Sequence, residues 1–472
     1  MTKIILGGGL SGLSAAYYLG KRSPKEKVIL LEGTNRLGGW IKSERVDKEV
    51  IFEQAARTIR PRGAAGINTL NLLGGLGLNS EVKPIITSNA AAKNRLIYAN
   101  GQLHLLPTSL FSIFTTQKPF SKPLLYCLLQ DFASKPKFML DDSIYEFTNR
   151  RFGPEVADYL IDTIVCGICA GNSREVSVNF LMKNMFLDEQ KYGSVLKGAI
   201  QRLIFGKKEK LPQRGLLATR SKTEKWSIYR LKNGLETLPI ALHCALQGMK
   251  NVDIHLNTRC TEISFKSSDS VSVKLNGSKH FVGDHIFSSI PATSLAPLVQ
   301  LQHPQLAGHL FSIKSVTVAV VNLFYKGNFI PQPAFGFLVP PKEKLPILGV
   351  IYDSCSQEYS DKTVLTVMMG GYWFKDLFGE NPSEETLLKV ACDNVKSILH
   401  IKDSPLHYKV NVLRDCLPQY VVGHEKNLSD IISFITQNKL PLSLCGASYH
   451  GVSVNEVILS AKDAVDGLQD TK

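Results

Sequence analysis

Gly7-Gly8-Gly9-Leu10-Ser11-Gly12, near the start of the chain, has the residue types and spacing of a phosphate site. In a G-x-G-x-x-G run the first glycine permits a tight turn. The second lets the backbone approach a pyrophosphate, and the third lets a helix pack closely on a strand. The flanking residues supply the required strand and helix. Residues 3–6 (KIIL) read as a buried strand, and residues 12–22 as a helix with Ser14, Ala15 and Ala16 facing a sheet. The helix N-terminus offers N–H groups and a positive dipole end to the phosphates. Residues 28–32 (VILLE) form the next strand and end on Glu32, 20 residues after Gly12, where a carboxylate accepts hydrogen bonds from a ribose diol. Together these parts specify a dinucleotide.

The elements that position this motif belong to a chain of 472 residues with 44% hydrophobic and 20% charged residues, close to a soluble globular average. Such a chain holds two to four structural units at roughly 100–200 residues each. The composition excludes a disordered tail, a collagen and a polytopic membrane protein. The formal net charge of +14 points to an anionic partner: nucleic acid, acidic lipid or an anionic small molecule. Nine cysteines, an odd number with mostly wide spacing, argue against a disulfide framework. Cys166 and Cys169 form a C-x-x-C without the second pair that a zinc ribbon needs, so they read as structural. The opening MTKIILGGGL has no secretory or presequence pattern, and no run of 18 apolar residues spans a bilayer. Two shorter apolar clusters, residues 103–114 and 123–129, flank Lys118 and Lys122, as in a protein that lies on a membrane.

Further along, residues 93–206 read as mostly helical, with helices expected over 141–152 and 154–163. Residues 202–232 carry ten Lys or Arg and two Glu, more than half of the net charge, and read as a loop or a partly disordered segment. A helix restarts at 235–246. Strands are expected over 252–256, 270–275, 285–290, 315–325, 348–352 and 364–369. A glycine turn and a helix close the chain over 446–464.

After Glu32, the run Arg36-Leu37-Gly38-Gly39-Trp40 resembles the second signature of the FAD-binding amine oxidase superfamily. More narrowly, the chain resembles the animal-type protoporphyrinogen oxidase family over essentially its whole length. The resemblance rests on RLGGWI at 36–41, FEQAARTIRP at 52–61, AAKNRLIY at 91–98, FGPEVA at 152–157, AGNSREVS at 170–177, LKNGLETLPIAL at 231–242, VAVVNL at 318–323, FGFLVP at 335–340 and GASYHGVSVN at 446–455.

It implies an α/β fold. A doubly wound, Rossmann-like FAD domain would be assembled from 1–90, 225–295 and 413–472. A helical membrane-binding domain would span 91–206, a basic loop 207–224 and a strand-rich substrate domain 296–412. It also implies non-covalent FAD. Gly7, Gly8, Gly9, Leu10, Ser11, Gly12 and Glu32 would hold the ADP half; Arg36, Gly38, Gly39 and Trp40 would line the pyrophosphate and flavin. Ala55, Ala56, Arg57 and Thr58 would lie against the isoalloxazine, with Arg57 also near substrate, and Arg259 on the adenine side. Ala447, Val452, Ser453 and Val454 would close over the flavin, the last helix aiming its N-terminus at the ring and favouring negative charge there. For the substrate, Arg95 would fork a propionate, Phe335, Leu338 and Met368 would sandwich a tetrapyrrole, and Gly167 would meet the macrocycle.

The implied reaction is the six-electron oxidation of protoporphyrinogen IX to protoporphyrin IX, the penultimate step of heme biosynthesis, with molecular oxygen as acceptor and H2O2 as product. The implied location is the intermembrane-space side of the mitochondrial inner membrane, bound peripherally to its anionic surface. A second copy of the chain and the next heme-pathway enzyme complete the implied partners, with no metal and no nucleic acid. No His, Glu or Asp in the matched segments has a clear claim as general base. The chain departs from the family at Ala55-Ala56-Arg57-Thr58, usually Gly-Pro-Arg-Gly, and at Cys166, where many relatives have arginine. The alternatives are a flavin-dependent amine oxidase, which would share the first 40 residues, and a flavin-bound scaffold without activity.

Overall fold

Continuous apolar strands demand cover on both faces, and the opening strands obtain it. The computed structural model describes residues 1–107, 111–206, 211–277 and 279–468. Its contacts divide the chain into two units. The first comprises residues 1–84, 211–314 and 426–472 and holds a five-stranded parallel sheet. The strand order is Leu442–Leu444, His285–Ser288, Thr2–Leu6, Lys27–Leu31, Val252–His255. Ile5 and Leu30 face a helical layer of Leu10–Arg22, Gly63–Gly75, Thr237–Gln247 and Val454–Asp466. Ile4, Leu6, Ile29 and Leu31 face a second layer, made of a three-stranded antiparallel sheet (Cys260–Ser267, Ser270–Leu275, His280–Gly283) and the helices Ala292–Val299 and Pro304–Phe311. This is the two-faced cover that parallel sheets require.

The second unit comprises residues 85–210 and 315–425. Its seven-stranded sheet runs His407–Pro418, Ser315–Lys326, Lys362–Gly371, Ile347–Tyr352, Gly336–Leu338, Leu96–Ala99, Gln102–Leu105. Ala319, Val321, Leu323, Leu365, Val367 and Met369 close one face against Leu387, Ala391 and Val395 of the helix Glu384–Leu399. A helical part shares this unit and has its own core around Ile144, Phe147, Val165 and Phe186. Arg151, fully buried, organises it. Its Nε donates to Asp131 Oδ1 at 2.5 Å and its Nη1 reaches the Ser134 carbonyl at 3.1 Å and Glu189 Oε1 at 3.5 Å. Asp131 in turn accepts from Ser194 Oγ at 2.5 Å and Leu196 N at 2.9 Å, capping the helix Val195–Phe205.

Several expectations change. The unit boundaries fall at 314/315 and 425/426 rather than at 296 and 413. The helix Pro304–Phe311 buries Leu306 and Leu310 with Ile4 and Leu6, and the strand His407–Pro418 pairs along Ser315–Lys326. Residues 91–206 are not purely helical, because Leu96–Ala99 and Gln102–Leu105 complete the sheet. Leu103 and Leu105 therefore pack on its core instead of standing in a separate apolar cluster, and residues 108–110 of that cluster lie outside the described residues. In the basic stretch, residues 207–210 lie outside the described residues. Beyond them Leu216–Thr223 is a helix and Trp226–Leu231 a strand, where the expectation was a loop. Charge content hid the buried Trp226, Ile228, Tyr229 and Leu231 between the basic residues.

Candidate functional site

In the first unit two glycine loops meet above the sheet's carboxyl end. Gly7 adopts φ +98°, and a Cβ on Gly12 would stand 1.9 Å from the Gly7 carbonyl oxygen, so helix and turn touch only because Gly12 has no side chain. Gly8 N–H donates to Glu32 Oε2 at 2.7 Å, and Thr34 N–H and Oγ1 both donate to Glu32 Oε1 at 2.8 Å. The carboxylate is thus pre-oriented, with lone pairs still available. Gly9 is different: the nearest atom to a Cβ there would be Gly39 Cα, at 3.9 Å. Gly38 N–H donates to the Gly8 carbonyl at 2.9 Å, joining the second loop to the first. The helix Leu10–Arg22 starts at Gly9 with no side-chain cap and no acidic residue in its first turn, while Lys21 and Arg22 complement its far end. Leu10 and Ser11 are buried in that first turn.

Arg36 has partners in the protein itself. Its guanidinium donates to the carbonyls of Gly39 at 2.5 Å and Ile41 at 2.6 Å and pairs with Glu236 at 3.1 Å. These contacts shape the R-x-G-G loop, and Trp40 stands exposed at its tip. Arg259 lies beside Gly33, but its N–H donates to Asn276 Oδ1 at 3.0 Å and its carbonyl accepts from Asn276 N at 3.0 Å.

The loop carrying Ala55, Ala56, Arg57 and Thr58 runs from the strand Ile51–Glu53 to Ile59, which bridges Tyr229. Arg57 is buried and donates to the Ala55 carbonyl at 3.2 Å. Asn455 Nδ2 donates to the Arg60 carbonyl at 2.8 Å and ties this loop to the closing helix Val454–Asp466. Ala447 and Val452 lead into that helix, and Ser453 caps it in a reciprocal box with Glu456. The box satisfies two of the N-terminal groups and puts a carboxylate in the first turn, which tempers the dipole expected there. Gly446 at φ +101° passes 3.2 Å from Ser11 Oγ, measured from a Cβ built on it, so the chain's two ends share the cradle.

Of the residues named for the substrate, Arg57 belongs to the first unit, and the other five lie in the second, around the strand Gly336–Leu338 and its neighbours. Arg95 lies over the Phe335 ring at 4.8 Å and donates from Nη1 to the carbonyls of Ala91 at 3.0 Å and Asn94 at 2.9 Å. A Cβ on Gly167 would stand 2.7 Å from Leu338 Cδ1, so the helix Asp162–Cys169 crosses Leu338 closely. Leu338 pairs with Gly349, and Gly349 pairs with Met368, so these three stand in one row on one sheet face. Leu338 and Met368 remain partly open, as does Ile351, two residues along. Gly349 and Ile351 were missed because a short glycine-interrupted strand carries no recognisable motif.

Burial pushes the thiols of Cys166 and Cys169 up, and both donate only weakly to local carbonyls, Cys166 Sγ to Gly171 at 3.5 Å and Cys169 Sγ to Val165 at 3.3 Å. All nine cysteines are free. Asp162, at the head of the same helix, is raised by burial although Ser173 Oγ donates to it at 2.8 Å and Arg174 lies 3.6 Å away. Among the described residues no cluster of His, Cys, Asp and Glu could hold a metal ion.

This geometry fits FAD. The uncapped helix end and the open side of Gly9 suit a pyrophosphate, Glu32 suits a ribose, and the Gly38-Gly39 and 447–454 segments would offer backbone to a flavin ring. The chain matches the family model for flavin-containing amine oxidoreductases over residues 10–468. The solved cyclohexylamine oxidase from Brevibacterium oxydans shares the fold, with a TM-score of 0.68 and 14% identity over 98% of each chain. Protoporphyrinogen oxidase of Bos taurus is 39% identical over 98% of this chain and 97% of that protein. The Homo sapiens protein of the same name is 38% identical over 100% and 99%. The chain belongs to the flavin-containing amine oxidoreductases and, within them, to the protoporphyrinogen oxidase family. It is an FAD-dependent oxidoreductase.

Proposed function

We propose that this enzyme oxidises protoporphyrinogen IX to protoporphyrin IX in heme biosynthesis. The observation that carries the reading is the gathering of Arg95, Phe335, Leu338, Gly167 and Met368 around one short strand, in a chain whose full-length relatives bear that activity's name. Bound FAD supplies a two-electron acceptor, so removal of six electrons takes three cycles, with molecular oxygen as final acceptor and H2O2 as product. The chain's own part is positioning. Arg95, held by two carbonyls and over the Phe335 ring, fixes a propionate. Leu338 and Met368 supply apolar contact for the ring, and the missing side chain of Gly167 keeps Leu338 from being displaced.

Arg95→Ala tests this. The expected result is a raised KM and a lowered kcat on protoporphyrinogen IX with flavin content intact, and Arg95→Lys falling between, because lysine keeps charge but loses the fork. Wild-type kcat/KM in Arg95→Ala would sink the assignment.

We also infer peripheral attachment to an anionic membrane, at the intermembrane-space side of the mitochondrial inner membrane; family resemblance supports the compartment, and extends the partners to a second copy and the next heme-pathway enzyme. For the attachment itself the support is an apolar surface. The helices Leu124–Ala133 and Val195–Phe205 pack together and expose Tyr126, Leu129, Ile200, Leu203, Ile204 and Phe205, Leu203 at 88%. Lys122 precedes the first of them, and Lys197 and Arg202 lie within the second. No helix among the described residues is long and apolar enough to cross a membrane. Leu203→Asp with Ile204→Asp should abolish sedimentation with anionic liposomes while flavin content holds. Unchanged sedimentation would remove this surface from the proposal.

A further inference from the structure

The sheet face that carries Leu338 and Met368 also carries a polar chain that the proposed reaction leaves unused. Register partners stand on the same face, and so do residues two apart on one strand. Asn322 and Thr366 are direct partners, two residues along from Val320 and Met368. Asn322 Nδ2 donates to Thr366 Oγ1 at 2.8 Å, and Thr366 Oγ1 donates to Asp353 Oδ2 at 2.6 Å. All three residues are buried. A row of branched apolar residues would close this face without the desolvation cost of a carboxylate, so core filling does not explain the chain.

What the chain holds is the end of the strand Ile347–Tyr352. Asp353 follows Tyr352 directly, and Ser354 Oγ, beside it, accepts from Val364 N at 3.1 Å. Tyr352 N–H donates to the Phe335 carbonyl at 3.0 Å, and Phe335 N–H donates to the Asn94 carbonyl at 3.3 Å. That Asn94 carbonyl is one of the two that accept from Arg95 Nη1, and Phe335 supplies the ring under the guanidinium. A second route reaches the same group. The turn of helix Asp353–Gln357 packs against Ala90–Lys93, whose Ala91 carbonyl is the other acceptor from Arg95. Both routes start at the Thr366–Asp353 hydrogen bond and end on one guanidinium.

We propose that Thr366 and Asp353 are positioning residues that set the orientation of the Arg95 fork, and with it the enzyme's preference for tetrapyrroles bearing free carboxylates. This rests on the reading of Arg95 as the carboxylate clamp. A forked arginine–carboxylate pair depends on orientation as well as charge, so a guanidinium tilted away from the ring plane of Phe335 loses the fork while keeping the charge. The helix that Asp353 starts then acts as a rigid stop behind the clamp.

The test compares protoporphyrinogen IX with its dimethyl ester on the holoenzyme, with flavin content and melting temperature measured for each variant. Thr366→Val keeps shape but removes the hydroxyl that Asp353 and Asn322 share. It should raise KM for the diacid about tenfold, the scale of one charge-assisted hydrogen bond, and leave the ester within about twofold of wild type. Thr366→Ser restores the hydroxyl and should restore the acid-to-ester ratio. In Arg95→Ala, adding Thr366→Val should change the ratio no further. If Thr366→Val slows both substrates equally, or acts additively with Arg95→Ala, the residue is structural and the proposal is overturned. If Arg95→Ala itself leaves the acid-to-ester ratio at its wild-type value, the clamp reading fails first, and the positioning role falls with it.

Discussion

The two units build their sites from opposite materials. In the nucleotide cradle the working groups are backbone: the N–H groups at the head of Leu10–Arg22, the open side of Gly9, and the Gly8–Gly38 hydrogen bond. Side chains there are mostly a hindrance, and Glu32 is the exception. On the face proposed for substrate the working groups would be side chains, Arg95, Phe335, Leu338 and Met368, set on a sheet whose register brings distant residues into rows. A backbone site tolerates no added atoms and is read as a motif. A side-chain site depends on supporting contacts from far along the chain and leaves little local trace. The second unit adds a buried ion network around Arg151 to glycine-permitted contacts such as Gly167 on Leu338.

This contrast can be broken in order of size. Gly12→Ala puts a methyl 1.9 Å from the Gly7 carbonyl oxygen and should cost more than about 4 kcal/mol, leaving little folded protein to carry flavin. Gly9→Ala has room, so apoprotein stability should change by less than about 1 kcal/mol while flavin affinity falls. Equal behaviour of the two alanines, in thermal melts and flavin content, would end the distinction between packing glycine and ligand glycine. Arg151→Ala leaves Asp131 and Glu189 buried without their cation and should cost about 3–5 kcal/mol in urea unfolding. A cost under about 1 kcal/mol would mean that apolar packing alone holds the helical part. Glu32→Gln sharpens the exception in the cradle. It should weaken FAD binding by about 1–3 kcal/mol, read by flavin titration of the apoprotein, since one charged acceptor for the ribose is lost. Unchanged affinity would make Glu32 a purely structural partner of Gly8 and Thr34.

The difference in material also sets what was legible. The strand, glycine turn, helix and second strand at the chain start lie as expected, because each is local and each has its own pattern. Gly167 and Leu338 were each assigned to the substrate by family resemblance, and their contact with one another could not have been read from residues 171 positions apart. Arg36 was expected to meet a pyrophosphate, and its tie to Glu236 escaped notice because the partner lies 200 residues away. The strands Leu96–Ala99 and Gln102–Leu105 were absorbed into a helical reading, since four-residue strands are too short to establish a period. The basic stretch misled for another reason: charge density describes what faces water and says nothing about the buried side of Trp226–Leu231.

The five-stranded sheet draws its middle strand from residues 2–6 and one edge from residues 442–444, and the closing helix Val454–Asp466 packs on the opening helix and ties down the loop at Arg60. During synthesis the glycine turn and its neighbour strand Lys27–Leu31 emerge among the first residues, but the edge strand Leu442–Leu444 and the covering helix Val454–Asp466 come only when nearly the whole polypeptide has left the ribosome. Flavin loading is therefore a late event. A nascent chain stalled before residue 442 would carry the entire fingerprint without the 447–454 segment and the closing helix that complete the cradle.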